Sequence, residues 1–125
     1  MPFFLLDVGN PLGNGYDPLV QVLGGPLPSG VSTPDVIINA QLRALWNAGT
    51  TVVELSRVTT NIGGRQALIV EYKRKSGELP WYHELTLTMI AGNSAWSVDC
   101  ITSPTKFGDF KDTFYAILSS FRVWK

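Results

Sequence analysis

The sequence predicts an α+β sandwich: an antiparallel sheet of about five to six strands with helices packed on it. Three observations carry this. Residues 66–102 hold period-two strand patterns separated by tight-turn residues, Gly63-Gly64, Ser76-Gly77-Glu78 and Gly92-Asn93. Phe107, Phe110, Phe114, Ile117, Leu118 and Phe121 recur at steps of three and four, the spacing of one helix face. A second amphipathic stretch begins at Ser32-Thr33-Pro34-Asp35, with Thr33 as cap, Pro34 at the first helical position and Asp35 at the positive end of the helix.

In chain order, residues 3–8 read as a short apolar strand. Asn10-Pro11-Leu12-Gly13-Asn14-Gly15 is dense turn chemistry, and Pro18 to Leu23 forms a second strand. Gly24-Gly25-Pro26-Leu27-Pro28-Ser29-Gly30 is expected to interrupt regular structure, which makes residues 1–31 loop-rich. The first helix runs to about Asn47 and stops at Gly49. Ile37, Ile38, Gln41, Leu42 and Leu45 share its inward face, with Trp46 at the edge of that stripe. Val52 to Val58 alternates as a strand. Asn61-Ile62-Gly63-Gly64 turns the chain into the next, Gln66 to Arg74. Pro80 opens the strand Trp81 to Ile90, and a further strand runs from Trp96 to Thr102. Pro104 ends it, and the Phe-rich helix follows. Short turns between consecutive strands favour antiparallel pairing.

Alternation sorts the side chains onto two faces. Trp81, His83, Leu85, Leu87 and Met89 share one face, with Trp96, Val98 and Cys100. Tyr82, Glu84, Thr86, Thr88 and Ile90 share the other, with Ser97, Asp99 and Ile101. The second face is partly polar, and Thr86, Thr88 and Ser97 read as exposed strand residues.

Composition narrows the function. At 125 residues the chain is one domain, 1–125, and its 45% apolar content is sufficient for a core without staples. Ten acidic and ten basic side chains cancel, so no overall field recruits nucleic acid. Cys100 is the single cysteine. It cannot form an internal disulfide and reads as a small buried thiol. No run of about 18 apolar residues marks a membrane span. The start, Met1-Pro2-Phe3-Phe4-Leu5-Leu6-Asp7, lacks the basic region of a signal peptide. The protein is then either cytoplasmic or the product of a removed export signal. Low charge and many Thr, Ser and Gly residues favour an extracytoplasmic or lipid-anchored full-length protein.

The residues Gly64-Arg65, Ile69-Val70-Glu71-Tyr72-Lys73, the turn at Gly77, His83-Glu84-Leu85, Gly92, Phe110, Phe114 and Ser120-Phe121 resemble the PsbP family over residues 33–123. The resemblance implies a Mog/PsbP-like fold. It also implies the family's usual roles, as extrinsic subunits, assembly factors or binders of other proteins, without a catalytic site.

Each candidate functional residue also has a plainer role. His83 is the lone histidine and a metal or partner contact only if ligands come from elsewhere, because adjacent Glu84 points to the opposite face. Otherwise it is a locally hydrogen-bonded strand-end residue. Glu54, Glu84 and Asp99 would cluster if their strands are neighbours, for acid–base work or a divalent metal at a carboxylate/His surface site; as separate residues they are a solvated sheet face. Arg65, Lys73, Arg74 and Lys75 concentrate positive charge around one hairpin, for an anionic partner or a lipid headgroup, or as edge protection. Trp81 and Trp124 are candidates for a contact patch, while Trp96 belongs to the core. Gly63-Gly64 precedes a strand and is no phosphate loop, and no Gly-x-Ser-x-Gly elbow is present.

The expected function is therefore a non-catalytic accessory domain, monomeric or a weak dimer, that binds a protein at a membrane-associated or extracytoplasmic complex. The candidate contact residues are His83, Trp81, Glu84, Arg65, Lys73, Arg74 and Asp99, with no cofactor. The alternative is a small-ligand carrier with a cavity between the sheet and the C-terminal helix.

Overall fold

The computed structural model describes residues 4–8 and 18–123. Its elements are β1 (Phe4–Val8), β2 (Leu19–Pro26), α1 (Pro34–Asn47), β3 (Thr50–Ile62), β4 (Arg65–Ser76), β5 (Tyr82–Ala91), β6 (Ser94–Thr102) and α2 (Pro104–Ser120). The strands form one six-stranded sheet in the order β1-β2-β6-β5-β4-β3, antiparallel at every pairing. α1 packs on β3, β4 and β5 from one side, and α2 on β5 and β6 from the other. The expected sheet between helices is the architecture found. The turn at residues 10–15 and Trp124 lie outside the described residues.

The local chemistry explains the elements. Pro34 and Pro104 open the two helices at positions where a missing N–H costs nothing. Thr33 and Ser103 occupy the cap positions in extended conformation, but neither makes the side-chain cap bond that the sequence suggested for Thr33. The turn between β3 and β4 is tighter than expected. β3 continues through Asn61 and Ile62, and Gly63 (φ +60°) and Gly64 (φ +80°) alone reverse the chain. A two-residue hairpin turn with both central residues at positive φ matches the twist of its strands and is open to glycine at little cost.

Two cores result. On the α2 side, Leu85, Leu87, Met89, Val98, Cys100, Ala67 and Ile69 pack against Phe107, Phe114 and Leu118. Phe114 meets Phe107 and Phe110 at ring separations of 6.0 and 5.9 Å, within the range of favourable aromatic pairs. On the α1 side, Ile38, Leu42 and Leu45 cover Val52, Leu68, Val70 and Tyr72. Of the remaining stripe residues, Ile37 turns toward a groove described below. Trp46, at the edge of that stripe, is exposed.

Three expectations require correction. Gly24, Gly25 and Pro26 do not interrupt structure; they are the last residues of β2, paired with Trp96, Ala95 and Ser94. The reason is the tryptophan. A Cβ on Gly24 would sit 2.3 Å from the Trp96 ring, so glycine here admits a large side chain across the strand pair. The Trp96 indole also packs against Phe121, with ring centroids 6.1 Å apart, and donates from Nε1 to Ser94 Oγ at 3.0 Å. The partly polar sheet face is not solvated either. Thr86, Thr88 and Ser97 are all buried, because α1 and the neighbouring strands close over them. Finally, α2 leaves no room for a cavity against the sheet, since Phe107, Phe114 and Leu118 fill that layer.

Gly24→Ala is expected to destabilise the fold by about 1–3 kcal/mol, because the methyl must displace a packed indole. Thermal or urea unfolding of the variant measures it. A neutral or stabilising effect would show that the indole moves freely.

Candidate functional site

The strand register gathers the polar residues into two clusters on opposite sheet faces. On the α1 side, Tyr72 lies opposite Glu84 across the β4–β5 pair, and Thr86 opposite Asp99 across β5–β6. Directly opposed residues share a face. Glu84, only 2% exposed, accepts from the Tyr72 hydroxyl at 3.0 Å through Oε1 and from the Arg74 guanidinium through Oε2. Arg74 in turn lies 5.5 Å from the Tyr82 ring centre. The carboxylate is thus inside the protein, and two donors converge on it.

Electrostatics follow from that placement. Burial pushes the Glu84 carboxyl above its ordinary range, and the charge and hydrogen bond of Arg74 and the bond from Tyr72 pull it back. Arg74 is held more firmly charged by Glu84, and Tyr72 is raised by its burial and by the Glu84 and Asp99 charges. Among the described residues Asp99 forms no ion pair. Burial first, and the Glu84 charge second, raise it to about 7, with the nearby Thr86 hydroxyl and Arg74 opposing. Thr86 Oγ1 and Thr88 Oγ1 are buried, and among the described residues neither reaches hydrogen-bond geometry with a partner. A desolvated hydroxyl of this kind costs about 1–3 kcal/mol.

On the α2 side, His83 stacks on Phe107 with centroids 3.5 Å apart and planes within 4°. Its Nε2 lies 2.8 Å from Glu71 Oε2, and Lys111 Nζ lies 3.5 Å from Glu71 Oε1. His83 and Glu84 are thus separated by the sheet, as their adjacency in a strand dictates. The histidine is engaged by a carboxylate and an aromatic ring. Among the described residues, no group of three or more His, Cys, Asp and Glu side chains is placed to hold a metal ion.

Two sequence-based groupings do not form. Glu54 is on β3, separated from β5 by β4, and pairs with Arg57 at 2.8 Å; only Glu84 and Asp99 are neighbours. Arg65 begins β4 while Lys73, Arg74 and Lys75 lie at its end, roughly 30 Å away at strand rise, so Arg65 stands apart from the three cations of the β4–β5 hairpin. Lys73 instead lies 5.9 Å from the Trp81 ring, at the β4–β5 end of the sheet. There Leu79 is 59% and Trp81 37% exposed. Cys100 is fully buried, and burial followed by the Asp99 charge pushes its thiol up to about 12, which leaves it unreactive.

Sequence reasoning missed a groove of about 310 Å³ between α1 and the β2–β6 end of the sheet. Leu23, Gly24, Pro26 and Ile37 form its apolar walls. Gln41 reaches over it to Ser97, with Nε2 donating to Oγ at 3.3 Å. The available signal was Gln41, a polar residue on an otherwise apolar helix face.

No family model matches the chain, and no curated protein matches it in sequence. Solved structures do share the architecture. A Pseudomonas aeruginosa protein of unknown function, PA94, described as a candidate regulator, superposes with a TM-score of 0.76 at 10% identity, over 99% of this chain and 84% of that one. The cyanobacterial PsbP (CyanoP) of Synechocystis sp. PCC 6803 superposes with a TM-score of 0.69 at 16% identity, over 98% and 82%. At these identities the likeness is one of fold: α+β, with a PsbP-like antiparallel sheet.

Asp99 makes stability depend on pH in a definite direction. Its folded-state value of about 7 stands above the ordinary value of about 4, so the folded protein retains this proton where the unfolded chain has lost it. Stability therefore falls as pH rises from about 4 to about 7 and levels off above. Asp99→Asn is expected to flatten this slope and to be more stable than the parent at pH 8. Urea denaturation at pH 5 and pH 8 checks it; an unchanged slope would place the carboxyl in water.

Proposed function

We propose that this is a non-catalytic accessory domain that binds a protein partner at a membrane-associated or extracytoplasmic complex. The observation that carries the reading is the chemistry of the β4–β5 end. Trp81 and Leu79 stand exposed beside the ammonium of Lys73. An exposed indole flanked by cations suits an apolar anchor on an anionic protein surface. The internal carboxylates are turned to structural use, with Glu84 saturated by Arg74 and Tyr72. The PsbP-like fold supports an accessory role by analogy of architecture. Among the described residues, no helix is long and apolar enough to cross a membrane.

A second reading, a small-ligand carrier, is favoured by one observation, the apolar groove beneath α1 with Gln41 and Ser97 as its polar fixtures. Its size is at the lower end of small-molecule sites. The carrier reading thus moves from the C-terminal helix to α1.

Affinity capture with the purified domain from its native cells tests the first reading. Trp81→Ala combined with Lys73→Ala is expected to weaken capture of the specific partner by roughly tenfold or more, with the fold unchanged. Undiminished capture by the double variant, or capture lost only when Ile37→Trp fills the groove, would contradict it.

A further inference from the structure

β3 is the outermost strand of the sheet, and among the described residues its far edge faces no other strand. Natural edge strands are usually short, or carry lysine or proline, or lie under a helix. β3 is 13 residues long and contains neither Lys nor Pro. Val53, Leu55 and Val58 are 42%, 46% and 51% exposed along it. A bulge between Glu54 and Ser56, the charges of Glu54 and Arg57, and α1 on one face are its protection; the α2 face and the outer edge stay open.

That bulge changes which residues share a face. Five positions apart, Val53 and Val58 would lie on opposite faces of a regular strand. The inserted residue brings both to the α2 side, opposite Lys73 and Ile69 of β4. It also puts both Glu54 and Arg57 on the α1 side, opposite Tyr72 and Val70. The segment Val53-Glu54-Leu55-Ser56-Arg57-Val58 then has apolar residues at both ends and opposite charges at matching places within. Reversing its direction exchanges the signs and the central Leu55 and Ser56.

We propose that β3 pairs antiparallel with β3 of a second copy of this chain, about a twofold axis between Leu55 and Ser56, joining two sheets into one. In that register Val53 meets the other copy's Val58, and each intrachain Glu54–Arg57 pair, tied to Asp35 through Arg57, meets the reversed pair of the other copy, so that Glu54 faces the other copy's Arg57 on a matching face. Opposite charges and β-branched pairs directly across an antiparallel ladder are the stabilising combinations. Self-pairing follows from the sign reversal. The same sequence run backwards supplies both complementary charges, as an isologous contact requires. The interface is the outer edge of β3, which adjoins the Lys73–Trp81 pair only through Val53, and this inference does not rest on the proposed partner.

Charge variants test the register. Glu54→Lys sets cations against Arg57 twice in the pair, and Arg57→Glu sets carboxylates against Glu54 twice. Mixing the two variants restores opposite charges at both positions. Sedimentation equilibrium is expected to show self-association of the parent, a loss of roughly tenfold or more in each single variant, and recovery on mixing. Circular dichroism verifies the fold of each variant. Amide exchange in the parent alone provides a second measure, with outward β3 amides gaining protection as concentration rises. Three outcomes would each overturn the proposal: a parent that stays monomeric at millimolar concentration, leaving a foreign strand as the occupant; single variants that associate like the parent; or a mixture that stays monomeric.

Discussion

The burial of β5 on both faces is the constraint from which the other features follow. With β4 and β6 as neighbours, α2 below and α1 above, this strand has no solvated side. Its apolar residues Leu85, Leu87 and Met89 suit that position without adjustment. Its polar residues do not. Glu84 requires donors, and the register supplies Tyr72 and Arg74 from the adjoining strand. Thr86 and Thr88 remain desolvated without good partners. A carboxylate in such a place survives only where its hydrogen bonds are complete, and removing either donor would leave a charge whose burial costs several kcal/mol.

The same constraint separates structure from function. Groups that looked chemically promising in the sequence are drawn into the interior and neutralised there, His83 by Glu71 and Phe107, Glu84 by Arg74 and Tyr72. What remains accessible is an aromatic and cationic sheet end, an apolar groove beneath α1, and a long open strand edge. Among the described residues, α1 covers one face of β3, β4 and β5, and α2 covers the other face of β5 and β6.

Much of the fold was legible in the sequence because its signals are local. Pro34 and Pro104 mark helix starts, Gly63-Gly64 a hairpin, and the spacing of the phenylalanines the face of α2. The misread places are those where a distant residue decides. Gly24 belongs to a strand because Trp96 lies across from it. Thr86 and Thr88 look solvent-facing until α1, some forty residues earlier in the chain, is laid over the sheet. The grouping of Glu84 with Asp99 but not Glu54 depended on strand order, which alternation alone does not encode. Arg65 was set beside Lys73 and Arg74 only by counting along the chain, and the length of β4 separates them.

The most direct test of this account is the stability of Thr88→Val, measured by urea unfolding. Valine keeps the shape of threonine and removes a buried hydroxyl that has no partner. If β5 is closed on both faces, the variant is more stable by about 1 kcal/mol or more. A loss of stability of similar size would mean that the hydroxyl is bonded or wet, and that the α1 side of the sheet is open to solvent.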